Sequence, residues 1–376
     1  MKVLILTCKT GQGHNSSATA IKQAFDHRGI ECDIVDNVAL MSKIGAKLMD
    51  DLFTGIYLHM PKFFDRGYSM SEFKIGHFSS ARLFAKVLNM FSRGLRKHIA
   101  KNGYTHVITV HLLSAVMISE MNSKKPLRTH TSFLSTDYTL LPFISGTALD
   151  MYFLPHRDLG KLFSEKGISE EKHRDTGIPV RSDFLCCDLT KSDARAALNI
   201  PNDAKVVFIM GGSMGCGPIE ELVESIASIE DDKLRILVSC GTNKQLLKSL
   251  AKKSDNRINA FSYSNEIPTI MRALDVFVTK PGGVSITEAA VMAAPMVLLN
   301  AIGGCETPNY NFFTSHGFAL GAKDIAEVAQ ICKSLLTADQ DLQERCEMLR
   351  REFGRNSADE IARAIIESES TDLAMV

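Results

Sequence analysis

The residues of this 376-residue chain whose types and spacing suit chemistry sit in four glycine-rich turns. The first is Thr10-Gly11-Gln12-Gly13-His14-Asn15-Ser16-Ser17. An imidazole titrates near neutrality, so His14 suits general-base work; a lone histidine after a strand also suits capping or ligand positioning. The turn matches the dinucleotide pattern G-x-G-x-x-G weakly, because Ser16 stands at the third glycine, although Asp33 and Asp36 follow at the distance that grips a ribose. The second turn is Gly211-Gly212-Ser213-Met214-Gly215-Cys216-Gly217, and the fourth is Gly303-Gly304-Cys305-Glu306-Thr307-Pro308-Asn309. The third, Pro281-Gly282-Gly283-Val284-Ser285-Ile286-Thr287-Glu288, says most. Gly282 and Gly283 let the main chain approach a diphosphate, Ser285 and Thr287 add hydroxyl donors, and a carboxylate at Glu288 can accept from two ribose hydroxyls. Glu288 also reads as an ordinary acid favoured by a helix dipole. A GxxxxGK[ST] sequence is absent, so an ATP-hydrolysing P-loop has no support.

Each turn must be held by the elements around it. Short Val/Ile/Leu-rich runs, each followed by such a turn and a helical pattern, predict βα alternation. The strands are expected at Val3–Thr7, Cys32–Asp36, Thr105–Val110, Thr131–Ser135, Met151–Leu154, Lys205–Met210, Arg235–Ser239, Ile258–Phe261, Val276–Thr279 and Met296–Leu299. Strands apolar on both faces belong in parallel sheets covered by helices, so each half predicts a doubly wound α/β domain with its ligand crevice at the carboxyl ends of the strands. Thr176-Gly177-Ile178-Pro179-Val180 marks the seam. It divides one domain, over 1–180, from a second, over 181–355. Residues 356–376 form a closing helix and tail.

Composition is that of a folded soluble protein, at 45% hydrophobic and 23% charged residues, which excludes disordered, collagen-like and disulfide-scaffold classes. The apolar run in MKVLILTCKTGQGH is too short for a signal-peptide core, and no stretch suits a membrane span, so a cytoplasmic chain is expected. Nine cysteines without CxxC pairs argue against a structural zinc site. The zero net charge divides into +6 over residues 1–188 (24 basic, 18 acidic) and −6 over the remainder. Residues 41–101 alone hold 11 Lys/Arg against Asp50, Asp51, Asp65 and Glu72. There the βα pattern breaks into helical stripes. Leu83, Phe84, Val87, Leu88, Met90, Phe91, Leu95 and Ile99 share one half of a wheel, with Arg82, Lys86, Arg93, Arg96 and Lys97 opposite. With Lys62, Phe63, Phe64 and Arg66 upstream, this basic amphipathic segment suits an anionic lipid surface; a pair of core-packed helices with solvated lysines is the alternative. Nucleic acid ranks lower, as no DNA or RNA module is present.

The tract Thr279-Lys280-Pro281-Gly282-Gly283 with Ser285, Thr287, Glu288 and Ala289 resembles the nucleotide-diphosphate signature of glycosyltransferase family 28, and Gly211-Gly212-Ser213-Met214-Gly215 is similar to its second phosphate loop. Gly11-Gln12-Gly13-His14-Asn15-Ser16-Ser17-Ala18, Ser135-Thr136-Asp137-Tyr138 and Thr176-Gly177-Ile178-Pro179-Val180 resemble the diacylglycerol-glycosylating branch, comprising monogalactosyldiacylglycerol synthases and bacterial processive diacylglycerol glucosyltransferases. The resemblance implies the GT-B fold, two Rossmann-like domains facing a central cleft. It implies inverting transfer of a hexose from UDP-glucose or UDP-galactose to the 3-hydroxyl of diacylglycerol, without a cofactor or an obligatory metal, on the inner face of the cell membrane; the compactness of the chain favours glucose over galactose. His14 would act as base, with Asp137 orienting it or touching the acceptor. Nucleotide-sugar contacts would come from Gly13, Gly212, Ser213, Met214, Phe261, Ser262, Pro281, Gly282, Gly283, Val284, Ser285, Thr287, Glu288, Glu306 and Asn309. Cys305 stands where the family often has glutamine, leaving Glu306 and Asn309 as the hexose contacts. Leu141-Pro142-Phe143 departs from the histidine and aromatic residues often found there. A UDP-sugar epimerase of the same fold and a non-catalytic UDP-sugar sensor at the membrane are the competing expectations.

Overall fold

In the computed structural model the described residues are 1–8, 12–40, 92–141, 144–299 and 306–374, without the side chains of 339 and 370–374. They form two compact units, one from Met1–Arg181 with Asn356–Val376 and the other from Ser182–Arg355.

The described strands of the first unit are β1 (Lys2–Thr7), β2 (Glu31–Asp36), β3 (His106–Thr109), β4 (His130–Leu134), β5 (Met151–Leu154) and β6 (His173–Asp175). They lie parallel in the order β2-β1-β3-β4-β5-β6. Val3, Leu4, Ile5 and Leu6 are fully buried. Each such side chain contributes roughly 1.5–3 kcal/mol on burial, which is why an unbroken apolar run takes a central position in the sheet. The chain steps from β1 out to β2 and returns on the other side as β3, so the order reverses between β1 and β3. Both turns that leave this reversal begin helices: α1 (Gln12–Asp26) after β1 and, further along, α3 (Leu112–Lys124) after β3; α2 (Arg93–Asn102) precedes β3.

The described strands of the second unit are β7 (Lys205–Met210), β8 (Leu234–Ser239), β9 (Ile258–Phe261), β10 (Val276–Thr279), β11 (Met296–Leu299) and β12 (Leu320–Ala322), ordered β12-β11-β10-β7-β8-β9 and again parallel. Reversal falls between β7 and β10, the point at which a doubly wound sheet opens its ligand crevice. Helix α4 (Ile219–Ala227) follows the turn after β7, α5 (Gly283–Val291) the turn after β10, and α6 (Glu306–Ser315) comes after β11. One core on this sheet joins Val207, Ile209, Val276 and Val278 to Leu222, Val223 and Ile226 of α4.

The last helix, α7 (Ser357–Ala374), returns to the first unit, where Ile361, Ala362 and Ile365 share a core with Ala18, Ile21 and Phe25 of α1. An ion pair between Arg28 and Asp359 adds to that contact.

Candidate functional site

In the first unit the site forms across the carboxyl ends of β1 to β4. His14 lies in the first turn of α1, next to the half-buried Gly13. Its ring meets His111 edge-on, with centroids 4.9 Å apart at 80°. Thr136 Oγ1 stands 3.1 Å from His14 Nδ1, and the imidazole also bonds the main-chain carbonyl of Val110. Burial pushes the His14 pKa down to about 4, against the raising effect of that carbonyl. The positive end of the α1 dipole acts in the same direction as burial. His111 is 7% exposed and caps α3, its Nδ1 accepting the Leu113 N–H at 3.3 Å. Its pKa is lowered to about 3, first by burial and then by His14. Both rings are therefore neutral near pH 7. Thr7 Oγ1 donates to Asn15 Oδ1 at 2.7 Å, which ties the turn of α1 to its strand.

Asp137 lies half-buried in the bend after β4, where Ser135 Oγ and the Thr139 N–H both donate to its main-chain carbonyl. The side chain bonded to His14 is that of the preceding Thr136. Neither Thr136 nor His111 has a role that the sequence alone predicts. A polar residue directly after a predicted strand was the available signal for both.

In the second unit the turns after β7 and β10 meet at the sheet reversal. Gly211 approaches Cys216 closely, and Gly215, at φ +60°, would drive a Cβ to 2.2 Å from the Cys240 carbonyl oxygen, so these glycines are required by the fold. Ser213 C=O accepts from the Thr242 N–H at 2.9 Å, which fixes the turn against the loop after β8. Gly212 and Ser213 are half-buried, and Met214 projects outward at 52% exposure. Phe261 ends β9 stacked on Phe208, and Ser262 is exposed.

Gly282 differs from the structural glycines. It is the N-cap of α5 at φ −73°, the helix start has no side-chain cap hydrogen bond, and a Cβ added there would meet nothing within 4 Å among the described residues. Neither backbone strain nor crowding by protein calls for glycine. The first N–H groups of α5 remain available to an anion. Pro281, Gly283, Val284 and Glu288 are buried around this start, and Ser285 is half-buried.

Two expectations change. Thr287 is 2% exposed and donates its hydroxyl to Gly283 C=O at 2.7 Å, so it is no free phosphate donor. Asn309 is fully buried and its amide donates to Pro281 C=O at 3.0 Å; it braces the loop instead of meeting a hexose. Glu306 opens α6 and pairs with Lys280, a residue that carried no role in the sequence reading.

Of the residues expected to face a membrane, Lys62, Phe63, Phe64, Arg66, Arg82 and Lys86 lie outside the described residues, as do Gly303, Gly304 and Cys305. Arg93 and Lys97 are exposed on α2 while Leu95 and Ile99 are buried. Arg96 is corrected: its guanidinium donates to the Met121 and Lys125 carbonyls at 2.6 and 2.9 Å, capping the end of α3 in place of facing lipid.

Comparison with known proteins agrees with this layout. Residues 14–180 match the family model for monogalactosyldiacylglycerol (MGDG) synthase, and residues 206–363 that for the glycosyltransferase family 28 C-terminal domain. A processive diacylglycerol beta-glucosyltransferase of Bacillus cytotoxicus is 26% identical over 377 residues, covering 97% of this chain and 93% of the relative. Among solved structures, a glycosyltransferase from Rickettsia africae ESF-5 superposes with TM-score 0.59 at 15% identity, over 99% of this chain and 98% of that one. The UDP-GlcNAc 2-epimerase of Neisseria meningitidis, bound to UDP-GlcNAc, gives TM-score 0.61 at 13% identity, over 98% and 100%. Likeness of that degree is one of fold, and the fold is GT-B, carried here by two doubly wound units.

Proposed function

This chain belongs to the diacylglycerol-glycosylating branch of glycosyltransferase family 28, and from that footing we propose that it moves a hexose from a uridine diphosphate sugar to the 3-hydroxyl of 1,2-diacylglycerol, with inversion, at an anionic membrane surface. Glucose is favoured over galactose because relatives in Bacillus cytotoxicus and Bacillus cereus carry the name processive diacylglycerol beta-glucosyltransferase.

In a single displacement the acceptor oxygen bonds to the anomeric carbon as the bond from that carbon to the diphosphate breaks. The electron pair leaves with the diphosphate and the acceptor proton passes to His14. A hydroxyl oxygen that has begun to bond to carbon is strongly acidic, so a neutral imidazole of low pKa suffices, and the burial that depresses His14 keeps it in its accepting form. Asp137 would contact the acceptor or orient the base. The leaving diphosphate would lie on the main-chain N–H groups of the Gly212-Ser213 turn and of the α5 start, where preorganised dipoles stabilise developing charge. Phe261 and Ser262 would meet the uracil ring, and Glu288 the ribose.

The observation that carries the donor half is Gly282: an uncapped helix start at the sheet reversal, where among the described residues nothing stands within 4 Å of the place any other residue would put its Cβ. The test is incubation of the protein with diacylglycerol in phosphatidylglycerol vesicles and each labelled UDP-hexose. Labelled lipid is expected from UDP-glucose, and less from UDP-galactose. Conversion of the sugar nucleotide without acceptor would establish the epimerase instead, and tight UDP binding without any turnover the sensor.

A further inference from the structure

Lys280 follows β10 directly and its side chain is 22% exposed. It lies over the turn after β7, with Cε 3.3 Å from the point a Cβ on Gly212 would occupy. Its ammonium forms an ion pair with Glu306 Oε1, while Glu306 Oε2 is buried and has no hydrogen-bond partner among the described residues. A buried carboxylate oxygen without a hydrogen-bond partner costs about 1–3 kcal/mol, so the pair holds Glu306 less firmly than a fully bonded carboxylate would be held. Two residues beyond Lys280 is the open start of α5 at Gly282.

We propose that Lys280 changes partner when the donor binds. With no nucleotide present Glu306 holds the ammonium. When the diphosphate settles between the Gly212 turn and the α5 start, the ammonium passes to it, because two phosphates carry more negative charge than one carboxylate and lysine is a mobile point charge on a flexible stem. Glu306 is then released, and both its oxygens turn to hexose hydroxyls. Lys280 thus supplies a cation to the leaving group, and recognition of the hexose is coupled to arrival of the diphosphate. The inference rests on the donor reading above.

A consequence opposite to the usual effect of deleting a contact follows. Glu306 competes with UDP for Lys280, and UDP has no hexose to reward its release. In calorimetric titrations of the full chain, Glu306→Gln should tighten UDP by about threefold or more while lowering the hexose-transfer rate. Lys280→Met should weaken UDP by about 10- to 100-fold, the range of a charge-assisted hydrogen bond, and Lys280→Arg should restore most of it. In the Lys280→Met/Glu306→Gln double variant the gain from Glu306→Gln should vanish. Circular dichroism establishes that each variant is folded; if Lys280→Met is not, the double variant, which leaves no unpaired carboxylate, is compared with Glu306→Gln alone. Equal or weaker UDP binding by Glu306→Gln, or a gain that persists without Lys280, overturns the partner exchange while leaving the donor reading standing. Failure of the wild-type chain to bind UDP at all ends the donor reading and this inference with it.

Discussion

His14 and His111 are two neutral imidazoles in contact, and their depressed pKa values tie stability to pH. In the unfolded chain each takes up a proton as pH falls through about 6.5; in the folded chain uptake waits until about 4 for His14 and about 3 for His111. Between those limits the unfolded state binds more protons, so stability is full above about 6.5 and is lost as pH falls towards the folded values. For His111 alone the loss at pH 5 is on the order of 1–2 kcal/mol. His111→Asn keeps a side-chain oxygen able to cap α3 and removes the ionisable ring. Its melting temperature should therefore drop less than that of wild type between pH 7 and 5, as followed by differential scanning fluorimetry. An equal drop in both proteins would show that His111 is not held neutral. For activity, the limb of kcat/KM that reports free His14 should lie near pH 4, well below the ordinary imidazole range.

At the scale of elements, two of the glycine turns of the second unit have opposite reasons to be glycine. Gly215 lies in left-handed backbone against the Cys240 carbonyl, whereas Gly282 has ordinary φ and empty space. Gly215→Ala should lower stability by about 1–3 kcal/mol through strain and displacement of the loop after β8. Gly282→Ala should leave unfolding by urea within about 0.5 kcal/mol of wild type while raising the Kd for UDP several-fold. If Gly282→Ala bound UDP as wild type does, the diphosphate would have to lie elsewhere. Most of this layout was legible beforehand. Strands such as Lys205–Met210 and Val276–Thr279 are apolar throughout and carry a glycine turn at one end, and they stand where that pattern put them. The strands β6 and β12 were missed because both are three-residue edge strands, His173-Arg174-Asp175 wholly polar and Leu320-Gly321-Ala322 too short to show a period. The pairings of Thr136 with His14 and of Lys280 with Glu306 span 122 and 26 residues, and no local periodicity encodes such contacts. The same holds for Arg96, which reads as one more basic residue on a helical stripe until α3 is placed beside it.

For the whole molecule the question is how a chain in which, among the described residues, no helix is long and apolar enough to cross a membrane would reach an acceptor that stays in the bilayer. The charge distribution suggests the means. The excess of 11 basic over four acidic residues in 41–101 sits in a protein of zero net charge, so its attraction to an anionic surface is local and not a property of the whole. Each Lys or Arg near such a surface adds about 1 kcal/mol, and the effect fades as the screening length shrinks from about 10 Å at 0.1 M salt to about 3 Å at 1 M. On α2, Arg93 and Lys97 are the exposed cations, spaced one turn apart, with Leu95 and Ile99 turned into the protein. Arg93→Glu/Lys97→Glu should accordingly reduce co-sedimentation with phosphatidylglycerol vesicles by about tenfold or more at low salt, and the difference from wild type should shrink at high salt. UDP binding should be unchanged, since neither residue belongs to the second unit. Arg96→Glu would confuse the experiment, because it also removes two hydrogen bonds from the end of α3. Wild-type protein that ignores anionic vesicles at low salt would refute electrostatic attachment, and lipid access would then have to come from apolar contact alone.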